Sequence, residues 1–345
     1  MTRREIELEQ TGRIVEPLSL PTELRDEADL RPREIQEFIG QSDLVAHLRI
    51  MLTAAKQRGQ VADHVLFAGP PGLGKTSLAG IVASEMNVGL RLTSGPILTR
   101  PGDLAAILTD LQEGDVLFID EIHRLPRQVE EVLYPAMEDR RLDVLVGRGP
   151  SARSIRLELP AFTLVGATTR TGLVASPLRD RFGFVGRLDL YNDDDLSAIV
   201  TRSARLLSYE ADDEGAREIA RRSRGTPRIA NRLLRRVRDV AQIEGAGRIS
   251  HAIAQRALTQ FGIDERGLDK VDRALLGYLC TQSDGRPVGL VTLAQVVGEE
   301  SHTIEEAYEP YLIREGLIAR TPRGRIATDA AFAHLGLKRP GGGLL

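Results

Sequence analysis

Residues 65–86 read VLFA (Val65 to Ala68), GPPGLGKT (Gly69 to Thr76) and SLAGIVASEM (Ser77 to Met86). This order of apolar run, glycine loop and helix-forming stretch decides the fold. The loop fits the phosphate-loop pattern G-x-x-x-x-G-K-[ST] and lies between a strand and a helix, the context that gives the string its physical meaning. Glycines let backbone N–H groups wrap phosphate oxygens, and the helix start adds positive potential. Lys75 is placed to reach β- and γ-phosphates, and the Thr76 hydroxyl to ligate Mg²⁺.

Outward from this loop, LRLT (Leu90 to Thr93), VLFID (Val116 to Asp120) and TLVGA (Thr163 to Ala167) repeat the apolar strand, with helical patterns such as Leu78 to Met86 and Val129 to Glu138 between them. Continuous apolar strands alternating with helices predict a doubly wound parallel sheet covered on both faces. One segment departs from the alternation. Leu142, Val144 and Val146, then Ile155, Leu157 and Leu159, alternate with polar residues around Gly147 to Ser151, which predicts an inserted β-hairpin at about 141–159. Two such strands cannot bury both faces alone. The apolar face therefore packs on its own domain or meets a partner.

The expected organisation is a flexible arm over 1–28, a large α/β domain over 29–191, a small all-α domain over 192–262, a winged-helix domain over 265–338 and a disordered glycine-rich tail over 339–345. Two or three domains also follow from 345 residues. With 46 basic against 49 acidic residues, net −3, any nucleic-acid contact is local. Cys280, the single cysteine, excludes an internal disulfide, and six scattered histidines give no zinc spacing. The expected compartment is the cytoplasm, since no apolar run approaches a membrane span and the start MTRREIELEQ is charged.

VLFIDEIH ends in Asp120-Glu121. Asp120 is placed to hold Mg²⁺ through water, and Glu121 to orient and polarise the attacking water. His123 reads as structural. GATTR (Gly166 to Arg170) ends the next core strand, and Thr169 is placed to position water or contact the γ-phosphate. SPLRDRFG (Ser176 to Gly183) carries Arg179 and Arg181, either surface ion-pair residues or an arginine supplied in trans.

Together LRPREIQEFIGQ (Leu30 to Gln41), the phosphate loop, DVLFIDEIHRL, LYPAMED, GATTR, SPLRDRFG and GTPR resemble the AAA+ ATPases, and within them the RuvB family of Holliday-junction branch-migration motors, over residues 30–336. The resemblance implies a P-loop AAA+ domain, a lid domain and a winged helix, hydrolysing ATP with Mg²⁺. It places Leu30, Arg31 and Tyr191 at the adenine side, Gly72, Gly74, Lys75, Thr76 and Ser77 at the phosphates, and Arg228 of GTPR as the lid's phosphate sensor. Arg181 becomes the trans finger, with Glu138, Asp139 and Arg140 near a subunit boundary. The implied partners are double-stranded DNA at four-way junctions, other copies in a homo-hexamer, a RuvA-type junction-binding protein on Leu142, Val144, Val146, Ile155 and Leu157, and a RuvC-type resolvase.

Nine arginines between Arg217 and Arg238 read as solvated or subunit-facing, with DNA contact left open. In the winged helix the third helix carries Glu305, Glu306 and Glu309, which oppose phosphate, whereas Arg320, Arg323 and Arg325 surround the wing turn and suit a backbone grip without sequence preference. An initiator-type switch that marks a DNA site without translocating is the alternative reading.

Overall fold

The computed structural model describes residues 29–146, 153–245, 247–282 and 286–339. The expected arm at 1–28, the turn at 147–151 and nearly all of the tail lie outside the described residues. The chain divides into two compact units, Leu30–Tyr191 and the part beginning at Asn192.

The first unit holds a five-stranded parallel sheet. Its strands are β1 (Val65–Ala68), β2 (Leu90–Ser94), β3 (Val116–Asp120), β6 (Thr163–Thr168) and β7 (Phe184–Arg187), in the order β2-β3-β6-β1-β7. The three uninterrupted apolar runs occupy the three central positions, where both faces are covered. Leu90–Ser94 is an edge strand, and Leu92 is exposed. The opposite edge, FVGR, escaped the sequence reading because its alternating exposure and Gly186 give no apolar run. Around the sheet stand α1 (Ser42–Arg58), α2 (Lys75–Met86), α3 (Pro101–Thr109), α4 (Arg127–Asp139) and the single turn α5 (Ser176–Arg179). Leu104, Leu117, Ile119, Val129, Leu133 and Leu164 form the centre of one core.

The inserted ribbon pairs β4 (Arg141–Val146) with β5 (Arg153–Glu158), setting Leu142 opposite Leu157 and Val144 opposite Ile155. Asp143 faces Arg156 across the ribbon with an ion pair of 3.1 Å, so cross-strand charge compensation supports the polar face.

The second unit begins with α6 (Asp193–Leu206), α7 (Asp213–Arg221), α8 (Pro227–Ile243) and α9 (His251–Gln260). Asn192 caps α6 by accepting from the Asp195 N–H, with three aspartates in the first turn facing the helix dipole. The winged helix follows as α10 (Lys270–Thr281), α11 (Leu290–Val297) and a broken third helix. That helix runs through α12 (Ser301–Thr303), a π turn at Ile304–Tyr308 and α13 (Glu309–Arg314). Pro310 has no N–H to give and crowds the preceding turn, which accounts for the register change beside it. The wing is β8 (Ile318–Thr321) with β9 (Gly324–Ala327), then α14 (Asp329–His334).

Small helical and winged-helix parts form one unit because buried polar groups join them. Arg222 donates to the Ile263 carbonyl at 2.9 Å, Arg224 donates to the Gly267 carbonyl at 2.9 Å and pairs with Asp272, and the Tyr311 hydroxyl donates to the Arg266 carbonyl. Gly267 has φ +71°, and a Cβ there would lie 2.4 Å from the Arg222 carbonyl oxygen. A side chain at 267 would pry the joint open.

Candidate functional site

The glycine loop follows β1 at the C-terminal edge of the sheet, where a parallel α/β layer opens a crevice. Gly69, Gly72 and Gly74 have φ of 149°, 79° and 103°. A Cβ on Gly69 would lie 2.5 Å from the Leu188 carbonyl oxygen, and one on Gly74 would lie 3.2 Å from the Phe38 ring. Only glycine satisfies both demands. Lys75, nearly buried, donates from Nζ to the carbonyls of Gly69 and Pro70 at 2.8 and 2.7 Å. No side chain caps the start of α2, and an anion is the acceptor that such a helix start accommodates. Cradle, ammonium and helix start therefore fit a triphosphate, and Thr76 and Ser77 follow directly in the first turn.

Residues 30–41 and 188–191 wall the loop. Leu30 is buried, and the Ile35 N–H donates to Glu85 on α2 at 3.2 Å. Gln41 and Asp189 exchange two hydrogen bonds, 2.6 and 3.1 Å, which tie the walls together. The Tyr191 hydroxyl donates to the Leu73 carbonyl at 3.3 Å. Tyr191 and Phe38 thus both border the loop.

The β-sheet order puts β6 between β1 and β3, so Thr168 and Thr169 end between the loop and Asp120. Asp120 Oδ1 accepts from the Glu121 N–H at 2.9 Å, and Glu121 has φ +47°. A left-handed non-glycine residue at a strand end is a conformation that surrounding packing must impose. Gly95 makes room for it, since a Cβ there would lie 2.4 Å from the Glu121 carbonyl oxygen. Glu121 pairs with Arg124 at 3.0 Å. Thr168 is fully buried and shares a 3.0 Å hydrogen bond with His123 Nδ1, whereas Thr169 is exposed at the strand end. Of the two threonines, only Thr169 is open to solvent.

Arg181 stands elsewhere. It lines a cavity of about 950 Å³ with His64, Gly114, Phe162 and Gly183, residues that precede β1, β3, β6 and β7 at the N-terminal edge of the sheet. Strands of four to six residues, roughly 13–20 Å long, separate that edge from the glycine loop of the same chain. Arg181 pairs with Glu138 at 3.0 Å, and Glu138 and Arg140 line the same cavity. Asp139 pairs with Arg141 nearby. His64, which the sequence reading passed over, fixes this corner: Nδ1 accepts from the Leu164 N–H at 2.9 Å and Nε2 meets the Met137 carbonyl at 3.2 Å. Burial lowers its pKa and keeps the ring neutral.

Three expectations change in the structure. Leu142 is 2% exposed and belongs to the core of the first unit, because the root of the ribbon is still part of the domain. It presents no surface to a partner, whereas Ile155 and Leu157 are exposed. The side chains of Val144 and Val146 lie outside the described residues. Second, Arg222, Arg224 and Arg232 of the arginine cluster are buried rather than solvated or subunit-facing, and the first two join the halves of the second unit. Arg228 follows Pro227 in the first turn of α8 and is half-buried.

Third, the acids of the third helix do not simply oppose the basic wing. Glu309 is 1% exposed and accepts from Arg320 at 2.6 and 3.0 Å and from Arg325 at 2.9 and 3.0 Å. Burial raises its pKa, but the two guanidinium groups outweigh it and hold the carboxyl below its ordinary range. The Nε–Nη2 edges of both the Arg320 and the Arg325 guanidinium groups are therefore held by one carboxylate. Arg323 is exposed at the turn. Nothing in the residue pattern distinguished a buried Glu309 from the partly exposed Glu305, since all three acids share one helical run.

Family models match three consecutive stretches: the Holliday junction DNA helicase RuvB P-loop domain over residues 30–188, the RuvB AAA lid domain over 191–264 and the RuvB C-terminal winged helix domain over 265–336. The Holliday junction branch migration complex subunit RuvB of Streptomyces griseus is 60% identical over 314 residues, covering 91% of this chain and 87% of its own. Its counterpart in Rubrobacter xylanophilus is 59% identical over 318 residues, covering 92% and 90%. Among solved structures, the Thermotoga maritima RuvB Holliday junction branch migration motor superposes with a TM-score of 0.80 at 50% identity, covering 90% of this chain and all of that one.

Proposed function

The chain belongs to the RuvB family of P-loop AAA+ ATPases, and from that premise we propose that it is the ATP-driven ring motor of Holliday-junction branch migration. The observation that carries this reading is the placement of the phosphate loop, Thr169 and Asp120-Glu121 along one edge of a sheet whose opposite edge holds Arg181. An arginine on the far edge cannot reach its own loop. It can reach the loop of the next protomer in a head-to-tail ring, so on this reading hydrolysis requires prior assembly, as a hexamer.

Gly72, Gly74, Lys75, Thr76 and Ser77 hold the triphosphate, with Leu30, Arg31 and Tyr191 on the adenine side. Thr76 and Asp120 are the residues that would hold Mg²⁺, which when bound would neutralise charge on the triphosphate. Glu121 orients and polarises the attacking water, and Thr169 positions that water against the γ-phosphate. Glu138, Asp139 and Arg140 border the neighbour's site. Arg228 senses the γ-phosphate from the lid. Buried Arg222 and Arg224 then carry lid motion into the winged helix. Arg320, Arg323 and Arg325 grip the DNA backbone without reading bases. Exposed Ile155 and Leu157 give the ribbon an apolar surface for a RuvA-type junction-binding protein, and a RuvC-type resolvase is a further partner. The expected compartment remains the bacterial cytoplasm. No described helix is long and apolar enough to cross a membrane.

The test is strand exchange on a synthetic four-way junction with ATP, with and without a RuvA-type protein. Migration is expected with both present. ATP turnover indifferent to DNA, with junctions left unmoved beside the partner, refutes the reading.

A further inference from the structure

Arg181 makes three contacts and leaves one group without a partner. Nη1 donates to the Pro177 carbonyl at 2.5 Å and Nη2 pairs with Glu138 at 3.0 Å, while the guanidinium carbon lies 4.6 Å from the centroid of the Tyr134 ring. Its buried Nε has no hydrogen-bond partner, consistent with a π face taking the place of an acceptor on that side.

The two charged or aromatic contacts come from one helix face. Glu130, Tyr134 and Glu138 are spaced four apart on α4, so they stack along one stripe. Their exposures differ in a way that assigns roles. The Glu138 side chain is 55% exposed, and a half-solvated ion pair of this kind is weak and exchangeable. Tyr134 is partly buried, and its hydroxyl donates to nearly buried Glu130 at 3.4 Å. Burial raises the phenol's pKa and keeps it neutral. The helix under it is fixed by Val129, Leu133, Ala136 and Met137 in the core and by the His64 contact to Met137.

We propose that Tyr134 is the positioning residue of the trans arginine: its ring face holds the Arg181 guanidinium while the anion on Nη2 changes from Glu138 to the neighbour's γ-phosphate. This rests on the reading of Arg181 given above. A salt bridge alone could not do this, because the partner that fixes the arginine would be the one it must leave. A ring holds the cation whichever anion is present.

The experiment measures DNA-stimulated ATP turnover of the full-length ring for Tyr134→Leu, Tyr134→Phe, Arg181→Ala and the Tyr134→Leu/Arg181→Ala pair. Thermal unfolding and ATP-dependent assembly are followed alongside, and Tyr134→Met replaces the leucine variant should that not fold. Tyr134→Leu is expected to lower kcat about 5- to 30-fold at nearly unchanged KM for ATP, the scale of a partly desolvated cation–π contact. Tyr134→Phe is expected to stay within about twofold of the parent, since the ring face is kept. In the Arg181→Ala background, Tyr134→Leu is expected to add no further loss. Normal turnover in Tyr134→Leu beside an inactive Arg181→Ala overturns the proposal alone, as does an equal loss from Tyr134→Leu with or without Arg181. So does a phenylalanine variant as impaired as the leucine one. Full turnover in Arg181→Ala removes the trans arginine itself and the proposal with it.

Discussion

Replacing Arg325 with alanine changes two things at once, and the structure shows how to separate them. Glu309 accepts four charge-assisted hydrogen bonds, two from Arg320 and two from Arg325, at 2.6–3.0 Å. Stripping a buried carboxylate of its whole partner set costs about 3–5 kcal/mol. Arg320 remains in the Arg325→Ala protein, and its side chain is half-exposed, so about half that cost is expected, roughly 1.5–3 kcal/mol. For a unit of about 150 residues this lowers the melting temperature by roughly 3–12 °C. A fall in DNA affinity in this variant is therefore ambiguous, because the wing it sits on has been loosened.

The pair Arg325→Leu/Glu309→Leu resolves the ambiguity. It removes the buried charge together with its partner, a change that is often neutral or stabilising, and it leaves Arg320 able to hydrate. Melting is expected to return to within a few degrees of the parent. Duplex affinity is expected to stay low, for all sequences alike, with the slope of log K against log salt about one unit shallower. Fluorescence anisotropy on random duplexes across a salt series reads both. A pair variant that regains full affinity and the full salt slope would show that Arg325 only builds the wing, and the grip would pass to Arg320 and Arg323.

Other substitutions test the crevice and the joint. Glu121→Gln is expected to bind nucleotide normally and to lose about 10²- to 10⁴-fold in turnover, read by nucleotide titration beside steady-state kinetics; equal turnover removes Glu121 from the chemistry. Gly74→Ala places a side chain at φ +103° against Phe38, so nucleotide affinity is expected to fall about tenfold or more, which calorimetry measures directly. Asp269 is pushed up to about 7 by burial, then by the facing Asp272 carboxylate. A carboxyl whose folded pKa is raised contributes fully below its ordinary range and loses that contribution as pH rises through about 7. The second unit is thus expected to melt lower at pH 8 than at pH 6. Asp269→Asn, which keeps an oxygen for the Val271 and Asp272 N–H groups, is expected to flatten that difference, and an unchanged slope refutes the assignment.

What could be read from the residues follows from how local the causes are. The phosphate loop, the three central strands and Asp120-Glu121 were legible because each is a continuous string whose meaning depends on its immediate neighbours. Val65–Ala68, Val116–Asp120 and Thr163–Thr168 are buried on both faces, and uninterrupted apolar runs are what that position demands. FVGR was invisible because an edge strand needs no such run. Thr169 could be singled out as a candidate, but only the register beside β1 and β3 separates it from Thr168, which turns inward to His123.

The arginines show why the rest was hidden. Arg181, Arg224 and Arg325 look alike in the sequence, each in a basic or polar stretch. In space Arg181 rests on an aromatic ring at the rim of a cavity, Arg224 is buried against Asp272 at the joint, and Arg325 shares Glu309 with Arg320. Their partners lie 47, 48 and 16 residues away. An arginine's charge is fixed whatever surrounds it; its role is set by what lies within a few ångströms, and these separations are too long for any helical or strand period to encode. The same reasoning makes the joint informative. A guanidinium as deeply buried as Arg224 persists only where its partners do not move apart, so its pairing with Asp272 and the Gly267 carbonyl holds the lid and the winged helix together.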